Sequence, residues 1–436
     1  MAGTLIEEGR RPRMAPKMRT SRPLAELKPG CCSKAGREAR AGRCGPVFRS
    51  LLGTAITATL LAGCATVPAR NPYTLAELSS ARVLGAEPVR FWADDAEQEY
   101  DRWRTMLLQQ RTTAGLGIPQ TLLALSGGSD KGALSAGLLN AWSKRGDRPN
   151  FDIVTGVSTG ALIAPFAFLG SAYDDEIRTF YTSIDADDIY RAKVVQGLLG
   201  GASLLDSDPL RTMIGRYVTP DLLDEIAAEH RRGRRLLVVT TNLDAERGVI
   251  WDMGAIAASS EAGRETLFEQ VLLASASIPG AFQPVLIEAS ANGRTFSELH
   301  VDGGTVGGFF ILPRAMLAAV PPEATSGAVY LLYNGRIAPQ FKVQPVRTFG
   351  ILSRALDTVL GEMDRVMIAG MRAFAASRGI GFALCAVGDD FVYPETALFD
   401  RQFMNALYAY GERQGANSQG CLAPHVQTEP SPPAQR

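Results

Sequence analysis

The sequence predicts an α/β fold. Buried-type strands run straight into glycine-rich turns and then into small-residue helices, once over 120–142 and again over 151–170. Further along, Leu236–Thr241, Val329–Tyr333 and Gly381–Val387 are apolar strands, while Glu265–Ser275, Ser353–Ser377 and Ala397–Arg413 have helical periodicity. With 46% hydrophobic and 21% charged residues among 436, the chain has ample material for a large core.

The first 63 residues read differently. They hold 12 basic and 4 acidic residues, leaving 33 basic against 41 acidic in the remainder, a net of −8. A body of that sign excludes the basic footprint of a nucleic-acid binder. Residues 1–49 are basic and rich in small residues, and Leu51–Ala62 is an apolar run too short to span a bilayer. The combination is that of a secretory leader. It ends Leu61-Ala62-Gly63-Cys64, similar to the lipobox of bacterial lipoproteins, in which the cysteine is lipidated and becomes the new N-terminus. The expected location is the cell envelope, as a membrane-anchored lipoprotein on its periplasmic or outer-membrane side. Beyond Cys64 two cysteines remain, Cys385 and Cys421. Spacing leaves open whether they pair.

Residues 64–119 read as a tether and helical lead-in. Leu75–Leu84 and Ala93–Gln110 look helical, and Ala96, Tyr100, Trp103 and Leu107 recur at helical spacing. Residues 120–412 form the candidate catalytic domain, and 413–436, polar and proline-rich at the end, are expected to be disordered. Tyr173–Ile189 is a helical stretch, and the basic run His230–Arg235 reads as a solvated face.

The chemistry gathers at three motifs. Gly127-Gly128-Ser129-Asp130-Lys131-Gly132 joins a strand to a helix, so its backbone N–H groups can face an anion. A dinucleotide fingerprint fails because Ser129 stands where the second glycine belongs, and a P-loop fails because Lys131 precedes Gly132. An oxyanion hole fits the remaining geometry. A bulky residue at Gly128 is expected to remove turnover without unfolding the chain. The second motif, Gly156-Val157-Ser158-Thr159-Gly160, has the G-x-S-x-G pattern between an apolar strand and an apolar helix. Such an elbow lifts a serine out of the backbone at a strained position, backed by a helix N-terminus. Third, Thr295–Val301 is a strand that ends in Asp302-Gly303-Gly304.

A nucleophilic Ser158 needs a base. The chain has three histidines, His230, His300 and His425. His230 lies among arginines and His425 in the tail. His300 shares a strand face with Asp302. An α/β-hydrolase triad runs serine, acid, histidine in chain order, and only His425 follows Asp302. Asp302 is the stronger base candidate; its other reading is a carboxylate that caps an Asp-Gly turn.

In this order, SGGSDKG (126–132), GVSTG (156–160) and DGG (302–304) resemble the patatin-like phospholipases. TTNLDAERGVIWDMG (240–254), ASASIPGAFQPV (274–285) and FDRQFMNALYAYG (399–411) are similar as well, so the resemblance covers about 120–412. It implies a three-layer α/β/α fold around a central, mostly parallel sheet. It implies hydrolysis of acyl-ester lipids such as phospholipids by a serine carboxylic-ester hydrolase, without metal or cofactor. Carried over by motif, Ser158 is the nucleophile, Asp302 the base, and Gly127, Gly128 and Ser129 the oxyanion loop. Lys131, Gly132, Gly156, Gly160, Gly303 and Gly304 support them. The family loop carries a third glycine where this chain has Ser129. Two other readings stand beside this one: a serine esterase or thioesterase on non-phospholipid substrates, and a non-catalytic envelope lipoprotein of the same fold.

Overall fold

The computed structural model describes residues 70–425 apart from 86–87, 95–96, 194–200, 313–326 and 395. The leader and Cys64 lie outside the described residues. The described chain belongs to one compact unit.

Nine strands make the main sheet: β1 (Arg90–Trp92), β2 (Thr121–Leu125), β3 (Ile153–Val157), β4 (Arg235–Asn242), β5 (Arg247–Asp252), β6 (Val285–Ala291), β7 (Arg294–Asp302), β8 (Ala328–Tyr333) and β9 (Gly381–Ala386). The order β4-β3-β2-β8-β9 is parallel throughout. Beyond β4 the sheet continues antiparallel through β5 to β1, while the C-terminal end of β4 also pairs with β7, which in turn pairs with β6. The helices used below are α1 (Glu97–Thr113), α2 (Ala133–Arg145), α3 (Thr159–Leu169), α4 (Asp174–Thr182), α5 (Pro220–Arg231), α6 (Arg264–Ser275), α7 (Thr348–Arg378) and α8 (Arg401–Ala416).

Strand periodicity sorts the layers. Leu123, Leu125, Val154, Leu236 and Val238 join one core with α2, α3, α5, α6 and α8. Their neighbours Leu122, Ala124, Ile153, Val157, Leu237 and Val239 join a second core with Trp103 and Leu107 of α1 and Ile368, Met371 and Ala375 of α7. The expected three-layer architecture is therefore present. Parallel strands covered on both faces must be apolar throughout, which is why 121–125 and 235–242 read as continuous buried runs.

Several expectations need correction. The helical lead-in packs against the body as its spacing suggests, with α1 in the second core, but no tether precedes it among the described residues: Leu84 and Val89 lie in the first core, Arg82 bridges to Ser290, and Arg90–Trp92 is a strand of the sheet. A three-residue strand is too short to show a period. The first predicted helix stops at Ser79, where Thr74 and Glu77 form a capping box at its start. Tyr173–Ile189 is two helices, α4 and a single turn at Ala186–Ile189, separated at Asp185, whose side chain caps the second. The basic run is a solvated face only at Arg231 and Arg232. His230 and Arg235 are buried, and the Arg235 guanidinium lies over the Trp103 ring and donates to Gln110 Oε1 at 2.6 Å. Finally, the chain after 412 is structured as far as it is described. α8 runs to Ala416, Cys421 is disulfide-bonded to Cys385 of β9, and His425 bridges to Phe382.

Candidate active site

Ser158 stands between the end of β3 and the start of α3, with φ 55° and ψ −124°. An L-residue there is strained, at a cost of about 1–3 kcal/mol that the surrounding packing must hold. Two contacts do the holding. The Ser158 N–H donates to Ser275 Oγ at 3.0 Å, and that hydroxyl donates to the Val239 carbonyl at 2.7 Å. Close packing explains the flanking glycines: a Cβ on Gly160 would sit 2.2 Å from the Leu125 carbonyl oxygen, and one on Gly156 would sit 2.6 Å from the Gly160 carbonyl oxygen. The elbow thus presses α3 directly onto β2.

Asp302 ends β7, beside the C-terminal end of β4. Its N–H donates to the Ser277 carbonyl at 2.9 Å, and its own carbonyl accepts from Thr241 Oγ1 at 3.0 Å. The end of α6 and the turn after it therefore tie down both candidates, Ser158 through Ser275 and Asp302 through Ser277. The carboxyl Oδ1 accepts the Gly304 N–H at 2.6 Å. Oδ2 is buried and makes no fully formed hydrogen bond. Ser158 is the side chain that bears on it, close enough to favour its ionised form. Burial outweighs that help and the Gly304 bond, pushing the carboxyl up to about 7. Asp302 does accept the turn bond of the capping reading, and it still leaves one buried oxygen without a partner. Gly303 packs where a Cβ would meet the Val239 carbonyl oxygen at 2.3 Å, and Gly304 supplies the N–H to Oδ1.

The loop Gly127–Gly132 closes a tight turn in which the Lys131 N–H donates to the Gly128 carbonyl at 3.1 Å, and the Lys131 side chain is exposed. Gly127 departs from expectation. Its N–H donates to the Gly308 carbonyl at 2.8 Å and is not open to an oxyanion. The N–H groups of Gly128 and Ser129 have no acceptor among the described residues. Gly128 sits at φ 143° with its Cα against the end of β8, where a Cβ would lie 2.2 Å from the Asn334 carbonyl oxygen. A bulky residue there collides with backbone, so the expected folded but inactive Gly128 variant is not a clean test. Ser129 is left-handed at φ 55°, the conformation a glycine would adopt without strain. Gly132 lies where a Cβ would meet Thr159 and the Tyr181 ring.

Two side chains that hold this loop escaped the sequence reading. Asn334 is buried with its N–H and both side-chain polar atoms used: its N–H donates to Ser126 Oγ (2.7 Å), Nδ2 donates to the Ser126 carbonyl (2.9 Å), and Oδ1 accepts from Ser135 N–H (3.2 Å) and Oγ (2.6 Å). Asp364 of α7 accepts from Gly308 N–H (2.9 Å) and Tyr333 Oη (2.9 Å), and Gly308 in turn holds Gly127. Burial raises the Asp364 carboxyl above its ordinary range. An Asn-Gly pair at the end of a strand looks like a turn, which hid Asn334. Nothing in its local pattern marks Asp364. Asp130 is buried and accepts the Phe399 N–H at 3.0 Å, tying the loop to the segment before α8.

The histidines stand apart from this pair. His300 is fully buried, hydrogen-bonded to Thr240 Oγ1 at 2.9 Å and to Glu298 Oε2 at 3.1 Å, and burial lowers its pKa. His230 lies against Asp252, and His425 bridges to β9. Among the described residues, no group of three or more His, Cys, Asp or Glu side chains is arranged to hold a metal ion.

With this geometry in place, comparison with known proteins is informative. Residues 123–313 match the family model described as patatin-like phospholipase. No curated protein matches the chain. Among solved structures, it is similar to the crystal structure of VipD from Legionella pneumophila, at 12% identity and a TM-score of 0.33, over 69% of this chain and 67% of that one.

Proposed function

We propose that the chain cleaves fatty acyl esters of phospholipids through a Ser158–Asp302 dyad, a reading supported by the match of residues 123–313 to the patatin-like phospholipase family, whose activity is lipid acyl hydrolysis. The observation that supports it most is the buried Asp302 oxygen, unpaired and bearing on a serine held in a strained elbow. A carboxyl with its pKa near 7 can both accept and return a proton at neutral pH.

Asp302 Oδ2 takes the proton from Ser158 Oγ as the oxygen attacks the ester carbonyl. Negative charge develops on the carbonyl oxygen, where the open N–H groups of Gly128 and Ser129 donate to it, aided by the N-terminus of α3. Collapse of the tetrahedral species breaks the ester bond. The leaving alcohol takes the proton from Asp302, and the acyl group stays on Ser158. Water then gives a proton to Asp302 and attacks the acyl-enzyme. Fatty acid departs, and Ser158 recovers its proton.

Purified variants on one phospholipid test this. Ser158→Ala and Asp302→Asn should each cost on the order of 1000-fold or more, and the double variant no more than either single one, because paired groups act as a unit. A folded Asp302→Asn enzyme with normal turnover would exclude the dyad.

The reading extends to location. Cys64 is proposed as the lipidated residue of an envelope lipoprotein, which would hold the site near membrane substrate. One acyl chain binds a bilayer only marginally, so firm anchoring needs several. Cys64→Ala should release the protein from the membrane fraction; equal retention of the variant would count against the anchor.

A further inference from the structure

α7 is two helices in one. From Asp364 onward it packs on the sheet, with Ile368, Met371 and Ala375 buried in the second core at helical spacing. Its first three turns stand clear of that core. Ile351, Leu352, Leu356 and Val359 are 50%, 65%, 47% and 64% exposed, and Phe341 and Val346, on the segment leading in, are 95% and 93% exposed. Leu352, Leu356 and Val359 fall at i, i+4 and i+7 and so share one face. Isolated exposed apolar residues are ordinary, but a contiguous set of this size on a projecting element is not.

Charge separates this segment from its surroundings. Residues 341–356 contain three basic residues, Lys342, Arg347 and Arg354, and no acidic one. Acidic residues begin at Asp357, and the chain after residue 63 carries a net −8. Position adds a third argument. The projecting half leaves the body at Asp364, which holds Gly308, which holds Gly127, whose Cα lies so near the nucleophile that a Cβ on it would be 3.2 Å from Ser158 Cβ.

We propose that residues 341–359 form an interfacial docking element: the apolar side chains enter the headgroup boundary of an anionic phospholipid bilayer, the basic character of the segment, with Arg347 among its arginines, favours the bilayer's phosphates, and the active site is thereby set against its substrate. Apolar residues flanked by basic ones are what such a surface recognises. This deepens the lipid-hydrolase reading and rests on it for the identity of the substrate. It is separate from the lipid anchor, because it orients the site rather than tethering the chain.

The test uses the full chain carrying Cys64→Ala, so that no acyl anchor contributes. Phe341→Asp, Leu352→Asp and Leu356→Asp are combined in one variant, and Val346→Asp, outside the helix, is made separately. Each is measured for co-sedimentation with phosphatidylcholine/phosphatidylglycerol vesicles, for hydrolysis of vesicle phospholipid, and for hydrolysis of a soluble short-chain nitrophenyl ester. The triple variant should lose roughly 10-fold or more of its vesicle affinity and lose vesicle hydrolysis with it, while soluble-ester turnover stays within about twofold. Val346→Asp should show the same split more weakly. Arg347→Gln should weaken binding by roughly fivefold on the mixed vesicles and leave phosphatidylcholine vesicles unaffected. Wild-type protein that ignores vesicles, or variants that bind them equally well, would overturn the proposal. So would variants whose only change is loss of a dimer, which would assign the face to self-association. Vesicle binding that is lost in the variants, beside a wild type inactive on both substrates, would uphold the docking surface and defeat the hydrolase reading instead.

Discussion

At the residue scale, the proposed role of Asp302 as base ties the working pH to its carboxyl. Its carboxyl is held near 7 by burial, so a base mechanism needs pH above that value. The rate on a soluble ester should climb about tenfold per unit from pH 5 and level off above about 7, governed by one ionisation; a flat profile from pH 5 to 8 would contradict Asp302 as the base. The same shift has a stability consequence of definite sign. The unfolded carboxyl loses its proton near its ordinary 3.8, while the folded one keeps it to about 7. Between those values the native state binds more protons, so this group's contribution to stability falls as pH rises from about 4 to 7. Asp302→Asn removes the buried charge and should raise the melting temperature at pH 8 while abolishing turnover, with little thermal gain at pH 4. Ser129 offers a second, smaller test. Ser129→Gly relieves a left-handed serine and should stabilise the protein by about 1 kcal/mol, read from denaturant midpoints, with the loop N–H groups kept in place. His300, satisfied by Thr240 and Glu298, is not a partner of the dyad. His300→Ala should retain substantial turnover and lose stability through packing.

At the scale of elements, three connections assemble the site: the elbow after β3, the loop after β2 and the strand end of β7. Each was legible in the sequence because its chemistry is local. An apolar strand meeting glycines, or an aspartate followed by two glycines, shows itself within a few residues. What could not be read is what depends on long-range register. Gly127 looked like an oxyanion donor until Gly308, 181 positions away, was seen to take its N–H. Asn334 and Asp364 act on the loop across the fold, and β1 joins the sheet only because Arg90–Trp92 finds β5. The buried arginine at 235 was hidden for the same reason: its Gln110 acceptor and the Trp103 ring come from a distant segment. Asn334 carries a prediction. Asn334→Ala leaves Ser126 and Ser135 groups unpaired in the interior, each worth about 1–3 kcal/mol, and loosens the loop that bears the open N–H groups. Melting temperature and turnover should fall together, turnover by roughly 10- to 100-fold, part of the loss of a whole oxyanion donor. Wild-type kinetics in this variant would show that the loop holds its place without Asn334.

For the molecule as a whole, a sheet covered on both faces supplies the rigid frame, and the pieces that carry chemistry sit at the C-terminal ends of its parallel strands, where an open α/β sheet leaves a crevice. Among the described residues no helix is long and apolar enough to cross a membrane. The C-terminal segment is held to the frame by the Cys385–Cys421 bond, which spans 36 positions. In the chain-entropy model a loop of that length contributes about 3–4 kcal/mol, so reduction should lower the melting temperature by roughly 5 °C without touching Ser158. The proposed function rests on Ser158 being made nucleophilic by Asp302. Labelling with a fluorophosphonate, followed by mass spectrometry of the peptides, tests it most directly. The label should appear on Ser158 alone, at a rate that rises through pH 7, and it should be absent from Ser158→Ala and slowed on the order of 1000-fold in folded Asp302→Asn. A label on another serine, or undiminished labelling of Ser158 in Asp302→Asn, would contradict the dyad.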